Sequence, residues 1–370
     1  MTTKTHLFWS VACALALLAA APAVAQDVDA GQWIDLFDGE TLYGWTVCGD
    51  GEWAVVDNNI TCSRGYSGYI ASTSRFQNFQ LSAQIRVGGK GTAGLAVRAA
   101  MDKHTSCPNG GAALVLEPSD DWYTVVVDAV GDTVTFTVNG EKREPQEVAA
   151  PLGHIMVQYQ RYHRDSRGPK LEVKSMRLRP IGMKPLFDGK SLDGWNIIPD
   201  RKSKFTVVDG AINITDGNGQ IETDGEYRDF IFQIDVISNG EHLNSGVFFR
   251  GPKGVFWKGY EAQVRNQWVG DNREKPVDFG TGGLYGVDPA REVVSSDHEW
   301  FTKTIVADNN HFAVWVNGKQ VSDFYDTRPV SPNGDGKNGF VPKPGTIHLQ
   351  GHDPTTDLSF KNINIQEYTK

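Results

Sequence analysis

The chain has 370 residues, of which 39% are hydrophobic and 22% charged, with 40 glycines, 18 Phe, 11 Tyr and 10 Trp. That length suits about two domains, and the glycine and aromatic richness suits short strands and tight turns rather than a helical bundle. A formal net charge of -9, with no block of five or more Lys/Arg, excludes a nucleic-acid partner held by phosphate neutralisation, and the apolar content excludes wholesale disorder.

In chain order, Lys4 and His6 precede an apolar run from Leu7 to Ala21, and Ala23-Val24-Ala25 follows with the small residues that signal peptidase reads. The run falls short of the roughly 20 apolar residues that span a bilayer. The expectation is a signal peptide over residues 1–25, no membrane span, and export to the periplasm or the cell exterior. Export permits disulfides. Cys48, Cys62 and Cys107 remain after cleavage, so at most one bond can form. All three pairings are open, and a hairpin between Cys48 and Cys62 favours that pair.

The rest of the chain is an internal repeat. Leu36-Phe37-Asp38-Gly39 with Gly44-Trp45 returns as Leu186-Phe187-Asp188-Gly189 with Gly194-Trp195. Gly94–Arg98 returns as Gly246–Arg250, and Trp122 with Asn139-Gly140 returns as Trp300 with Asn317-Gly318. The copies are placed at 31–180 and 183–370, joined through Arg179-Pro180-Ile181-Gly182. Phe79, Leu81, Ala83, Ile85 and Val87 alternate with polar residues, and Phe230, Phe232, Ile234 and Val236 repeat the pattern of a strand with one face on a core. Asn139-Gly140, Asp209-Gly210 and Asn317-Gly318 read as two-residue hairpin turns. No stretch carries a useful helical period. Each copy is expected to be an all-β sandwich of jelly-roll type.

The copies differ where the polar chemistry gathers. Arg98 lies 24 residues before Trp122, but Arg250 lies 50 before Trp300, so the second copy carries an insert. A strand at Tyr260–Arg265 puts Glu261 and Gln263 on one face, and a strand at Ile347–His352 does the same for His348, Gln350 and His352. If both faces share one concave sheet, an acid, imidazoles and amides converge on a polar ligand. Trp257 and Trp268 bracket the Glu261 strand as candidate sugar platforms. Glu241 and His242 could hold a divalent cation together with Glu261, a weak donor set without a recognised geometry. Asn333-Gly334-Asp335-Gly336 reads as a glycine-rich surface turn. In the first copy the counterpart strands, Ile155–Gln160 and Ala112–Leu116, lack both histidines and the acid and amide of the Glu261 strand, so a chemical site belongs to the second copy and the first is a structural or sugar-contacting partner.

Leu186–Trp195, Asn244–Arg250 (NSGVFFR), Gly259–Val264 (GYEAQV), Thr281–Tyr285 (TGGLY) and Gly345–His352 (GTIHLQGH) together resemble the 3-keto-disaccharide hydrolase family along nearly all of 183–370. The resemblance implies two tandem concanavalin- or glucanase-like jelly-roll β-sandwiches. It also implies an exported enzyme whose substrate is a glycoside already oxidised at the sugar's third carbon. A ketone there acidifies the C2 hydrogen, so a base can remove it and expel the C1 substituent, without the paired carboxylates of ordinary glycosidases. On this reading His352 or His242 is the base, and Glu261 an acid/base or a ligand. Arg250 and Gln350 face the developing oxyanion or sugar hydroxyls, and Asn244, Gln263, Tyr285 and His348 contact the sugar. No cofactor is implied beyond an optional divalent metal. The rival expectation is a non-catalytic, lectin-like carbohydrate-binding protein, because jelly rolls also serve as binding modules.

Overall fold

The computed structural model describes residues 30–65, 67–89, 92–105, 107–160 and 170–369. The expected signal peptide lies outside them. The described residues form two tandem β-sandwiches of jelly-roll type, with a single 3-10 turn at Gly336–Asn338 as their helical element. No helix among them is long and apolar enough to cross a membrane.

The repeated motifs do the same structural job in each copy. The Trp45 indole donates to the Leu36 carbonyl at 2.6 Å, and the Trp195 indole donates to that of Leu186 at 2.7 Å. Asp38 and Asp188 each accept two backbone N–H groups from the turn that follows, the local bonding for which Asp is favoured in turns. Asn139-Gly140, Asp209-Gly210 and Asn317-Gly318 all have positive φ at both positions, as the tight hairpin requires.

In the first sandwich, a nine-stranded sheet faces a five-stranded one built from Trp45–Gly49, Ser67–Phe76, Thr92–Ala99, Ala112–Leu116 and Gly153–Gln160. In the second, an eight-stranded sheet faces the five strands that matter here: β1 (Trp195–Ile197), β2 (Gly219–Thr223), β3 (Ser245–Gly251), β4 (Tyr260–Val264) and β5 (Thr346–Gly351). Their spatial order is β1-β2-β5-β3-β4, all antiparallel. Val247, Phe249, Tyr260, Ala262, Val264, Ile347 and Leu349 point into the core. The period of two therefore sends Glu222, Phe248, Glu261, Gln263, His348 and Gln350 to the opposite face.

The two sandwiches are packed together. Ile231, Val306, Ala313 and Trp315, on the outer face of the eight-stranded sheet, join the hydrophobic cluster of the first copy. Arg75 holds Asp308 through two bonds of 2.6 Å, and the Trp315 indole donates to the Asp35 carbonyl. The first copy thus covers one face of the second and leaves the Glu261 face to its own loops.

The cysteine expectation is corrected. Cys48, Cys62 and Cys107 are all free thiols. Cys62 faces the sandwich core, whereas Cys48 belongs to a small cluster on the other face of the opposite sheet, so the hairpin between them does not bring the sulfurs together.

Candidate active site

The face carrying Glu261 is polar in sequence yet buried in the fold, because three loops close over it. The β3–β4 loop is pinned by side chains of β2: Glu222 accepts the Gly254 N–H at 2.9 Å and the Gln220 amide oxygen accepts the Trp257 N–H at 2.7 Å. The insert lays Thr281–Tyr285 along the free edge of β4, with Gly282 N–H to the Gln263 carbonyl and Tyr285 N–H to that of Glu261, both at 2.9 Å. The turn at Asn333–Gly336 is not a free surface turn. Asp335 pairs with Lys258 at 2.9 Å and Gly336 bonds to the Gly259 carbonyl, which carries Lys337 over the site.

At the centre, the Glu261 carboxyl receives a hydrogen bond from the Trp257 indole. Gly246 beneath it is obligatory: an added Cβ would lie 2.6 Å from Glu261 Cγ. Burial pushes the carboxyl up to about 8, opposed by the Trp257 bond and by the charges of Lys337 and Lys303, and reinforced by Asp278. The Lys337 ammonium stands 4.4 Å from the centre of the Trp257 ring and 5.2 Å from that of Tyr285. The His352 ring lies edge-on to Trp257, 6.5 Å between centroids, with Asp353 Oδ2 3.5 Å from its Nδ1. Polar atoms without a protein partner gather on this face: Gln220 Nε2, Asn244 Oδ1 and Gln350 Oε1. Buried polar atoms left open in this way are what a polar ligand satisfies.

Several expected site residues have other work. His348 is wholly buried, stacked on Phe248 and bonded to Thr346 and Gln220, and burial drops its imidazole to about 4. It is a neutral strut under the loop that carries Trp257. Both Gln263 Nε2 bonds run to Asp278, so this amide anchors the insert instead of a sugar. Asn244 donates to the same Asp278 and keeps its oxygen free.

Arg250 is corrected outright. Its guanidinium donates to the carbonyls of Arg228, Asn309 and Val341 and to Asp229, with no side-chain exposure, so nothing is left for an oxyanion. Arg98 in the first copy has the same positive φ and binds the carbonyls of Gln77 and Gly131. The repeated Arg is an end-plug of the sandwich.

His242 and Trp268 also leave the site. The ladder pairs Ser245 with Val264 and Phe248 with Glu261, so His242, bonded to the Asn266 carbonyl at 2.9 Å, sits five residues along from Glu261, roughly 16 Å in a strand. Glu241 is exposed beside it, so the cation set Glu241, His242 and Glu261 is not assembled. No group of three metal-ligating side chains occurs among the described residues. Trp268 lies in the insert's own hairpin under the Arg273 guanidinium, 4.1 Å away.

Sequence reasoning missed Lys337, Asp278, Gln220 and Glu222. Each comes from a loop or strand with no partner in the linear motif, and only a register could have found the last two. The same registers give the counterparts in the first copy: Ala113 for Glu261, Met156 for His348, Ala71 for Glu222 and Tyr69 for Gln220. There Cys48, Tyr69, Ala71, Ala96, Ala99 and Met156 form an apolar cluster, and of the amide, acid and imidazole set only Gln158, the counterpart of Gln350, is kept.

A family model described as the 3-keto-alpha-glucoside-1,2-lyase-like domain matches residues 32–163 and 182–366. No curated protein matches the chain. Among solved structures, two from Parabacteroides distasonis, each named "putative glycosyl hydrolase", are similar. One is 24% identical, covering 50% of this chain and 94% of its own, with a TM-score of 0.40. The other is 26% identical, covering 50% and 99%, also at 0.40. The carbohydrate-binding module CBM66 of Bacillus subtilis is 15% identical over 47% of this chain and 96% of its own, at 0.35.

Proposed function

Because the chain belongs to the 3-keto-alpha-glucoside-1,2-lyase-like domain family, we propose that it is an exported enzyme whose second sandwich cleaves 3-keto-glycosides by C2 proton abstraction, with elimination or net hydrolysis as the outcome. The observation that carries the reading is a carboxyl buried under a Trp indole, pushed up to about 8, in the copy that alone has an acid at this position. A group so poised holds its proton at neutral pH and donates it to a leaving group.

The roles follow from position. His352, whose Nδ1 lies 3.5 Å from Asp353 Oδ2 without a hydrogen bond, takes the C2 proton on a ring nitrogen. The C–H electrons delocalise onto the C3 oxygen, where the Lys337 ammonium, held over the Trp257 and Tyr285 rings, offers a positive charge. As the enolate collapses, the C1–O bond breaks, C1 and C2 become doubly bonded, and Glu261 protonates the departing oxygen. Water added across that double bond gives net hydrolysis. Trp257 and Tyr285 offer ring faces to the sugar, and Asn244 and Gln350 offer open polar atoms to its hydroxyls.

Turnover of a 3-keto-glucoside tests this directly. Glu261→Gln and His352→Ala are each expected to lower kcat by about a hundredfold or more, with the fold unchanged by circular dichroism. Wild-type activity should fall as pH rises through about 8, where Glu261 loses its proton. Binding of the keto-sugar without any turnover by the wild type would instead leave a carbohydrate-binding module.

A further inference from the structure

A second buried charge stands behind the first. Lys303 belongs to Phe301–Asp308, a strand of the eight-stranded sheet, and its side chain crosses the sandwich core to reach the back of β4. It is wholly buried, and its Nζ lies 2.9 Å from the carbonyls of both Ala262 and Gln263. An ammonium in an aliphatic core is disfavoured unless it is bonded and paired. The first copy confirms that the sandwich does not need it: the register places Val125 at the equivalent position, fully buried in an apolar core. The lysine and the carboxyl are thus present together in one copy and absent together from the other.

We propose that Lys303 is a positioning residue for Glu261, holding β4 from the core side and supplying the buried positive charge against which the carboxylate forms. The groups facing Glu261 are Trp257 from the β3–β4 loop, Asp278 and Tyr285 from the insert, Lys337 from the 3-10 turn, and Lys303 from the opposite sheet. Of the two cations, Lys337 is partly exposed and solvent-screened, and Lys303 is not. Burial draws Lys303 down while the Glu261 charge opposes the fall, so the ionisation of each group depends on the other.

The inference deepens the role given to Glu261 but is read without turnover. Protein labelled with 13C at the Glu carboxyl carbons is titrated by NMR, the Glu261 resonance being the one missing from Glu261→Gln. In Lys303→Met, which keeps the apolar stem, the Glu261 midpoint should rise by about one pH unit or more. In Glu261→Gln, which leaves the core untouched, the Lys303 amine, followed with 15N-lysine, should titrate lower than in the wild type. The second measurement stands even if Lys303→Met does not fold. An unmoved Lys303 midpoint in Glu261→Gln, or an unmoved Glu261 midpoint in folded Lys303→Met, overturns the proposal. A failure of keto-sugar turnover with both shifts present would overturn the proposed reaction and leave the pair standing.

Discussion

A single carboxyl, Glu261, concentrates the chemistry of this chain because its strand alternation and its burial point in opposite directions. Alternation sends it away from the core, and the loops then remove the water it would have met. Its folded-state value lies above its unfolded one, so the unfolded chain releases the proton first. The Glu261 contribution to stability is therefore drawn down as pH rises from about 4.5 to about 8 and is level beyond. Glu261→Gln, which cannot ionise, should show a thermal midpoint close to the wild type near pH 4.5 and higher above pH 8. The gain should be on the order of a few kcal/mol. A gain that is constant with pH would contradict the burial. The free thiols carry a companion expectation: a reductant should leave the midpoint unchanged, since no bond among the described cysteines stands to be lost.

Among the elements, the β3–β4 loop shows how secondary structure is turned into a site. Trp257 is held at a φ of 59°, a left-handed conformation that bulky residues avoid. Its N–H is fixed by Gln220, which also meets the buried His348. The motif GTIHLQGH thus acts through a scaffold: His348 and Gln220 hold the loop, and the loop holds the indole on Glu261. Gln220→Ala should free the Trp257 backbone and raise KM by about tenfold, with a smaller change in kcat, a split that loss of a catalytic group would not give. Strand patterns also explain why one reading was incomplete. Phe79–Gly88 alternates strictly between buried and half-buried, as its sequence says. Phe230–Ser238 does not, because Ile231 and Gln233 on its outer face are covered by the first sandwich.

At the level of the whole molecule, the first copy is packed against the second. It covers the outer face of the eight-stranded sheet whose core side carries Lys303, and Trp315 is buried between the two copies. Trp315→Ala should cost about 3–5 kcal/mol by urea unfolding and should expose the segment between the copies to limited proteolysis. If the unfolding midpoint moved by less than experimental error, the two sandwiches would be independent beads.

The amino-acid sequence by itself determined the all-β class, the duplication, the hairpin turns and the copy that carries the polar residues, because these rest on local periodicity and on residues such as Asn-Gly whose backbone preferences need no neighbours. It also placed Glu261 and Gln350 on outward faces, since a period of two survives any packing, whereas His352 lies just past the end of its strand. It could not tell Arg250, which plugs the sandwich end, from an arginine aimed at a ligand. Nor could it bring Lys337, Asp278, Gln220 and Lys303 to Glu261, or keep His242 from it. Those outcomes depend on strand register and on which loop folds over which sheet, and such long-range choices are made only when the tertiary structure decides what is buried beside what.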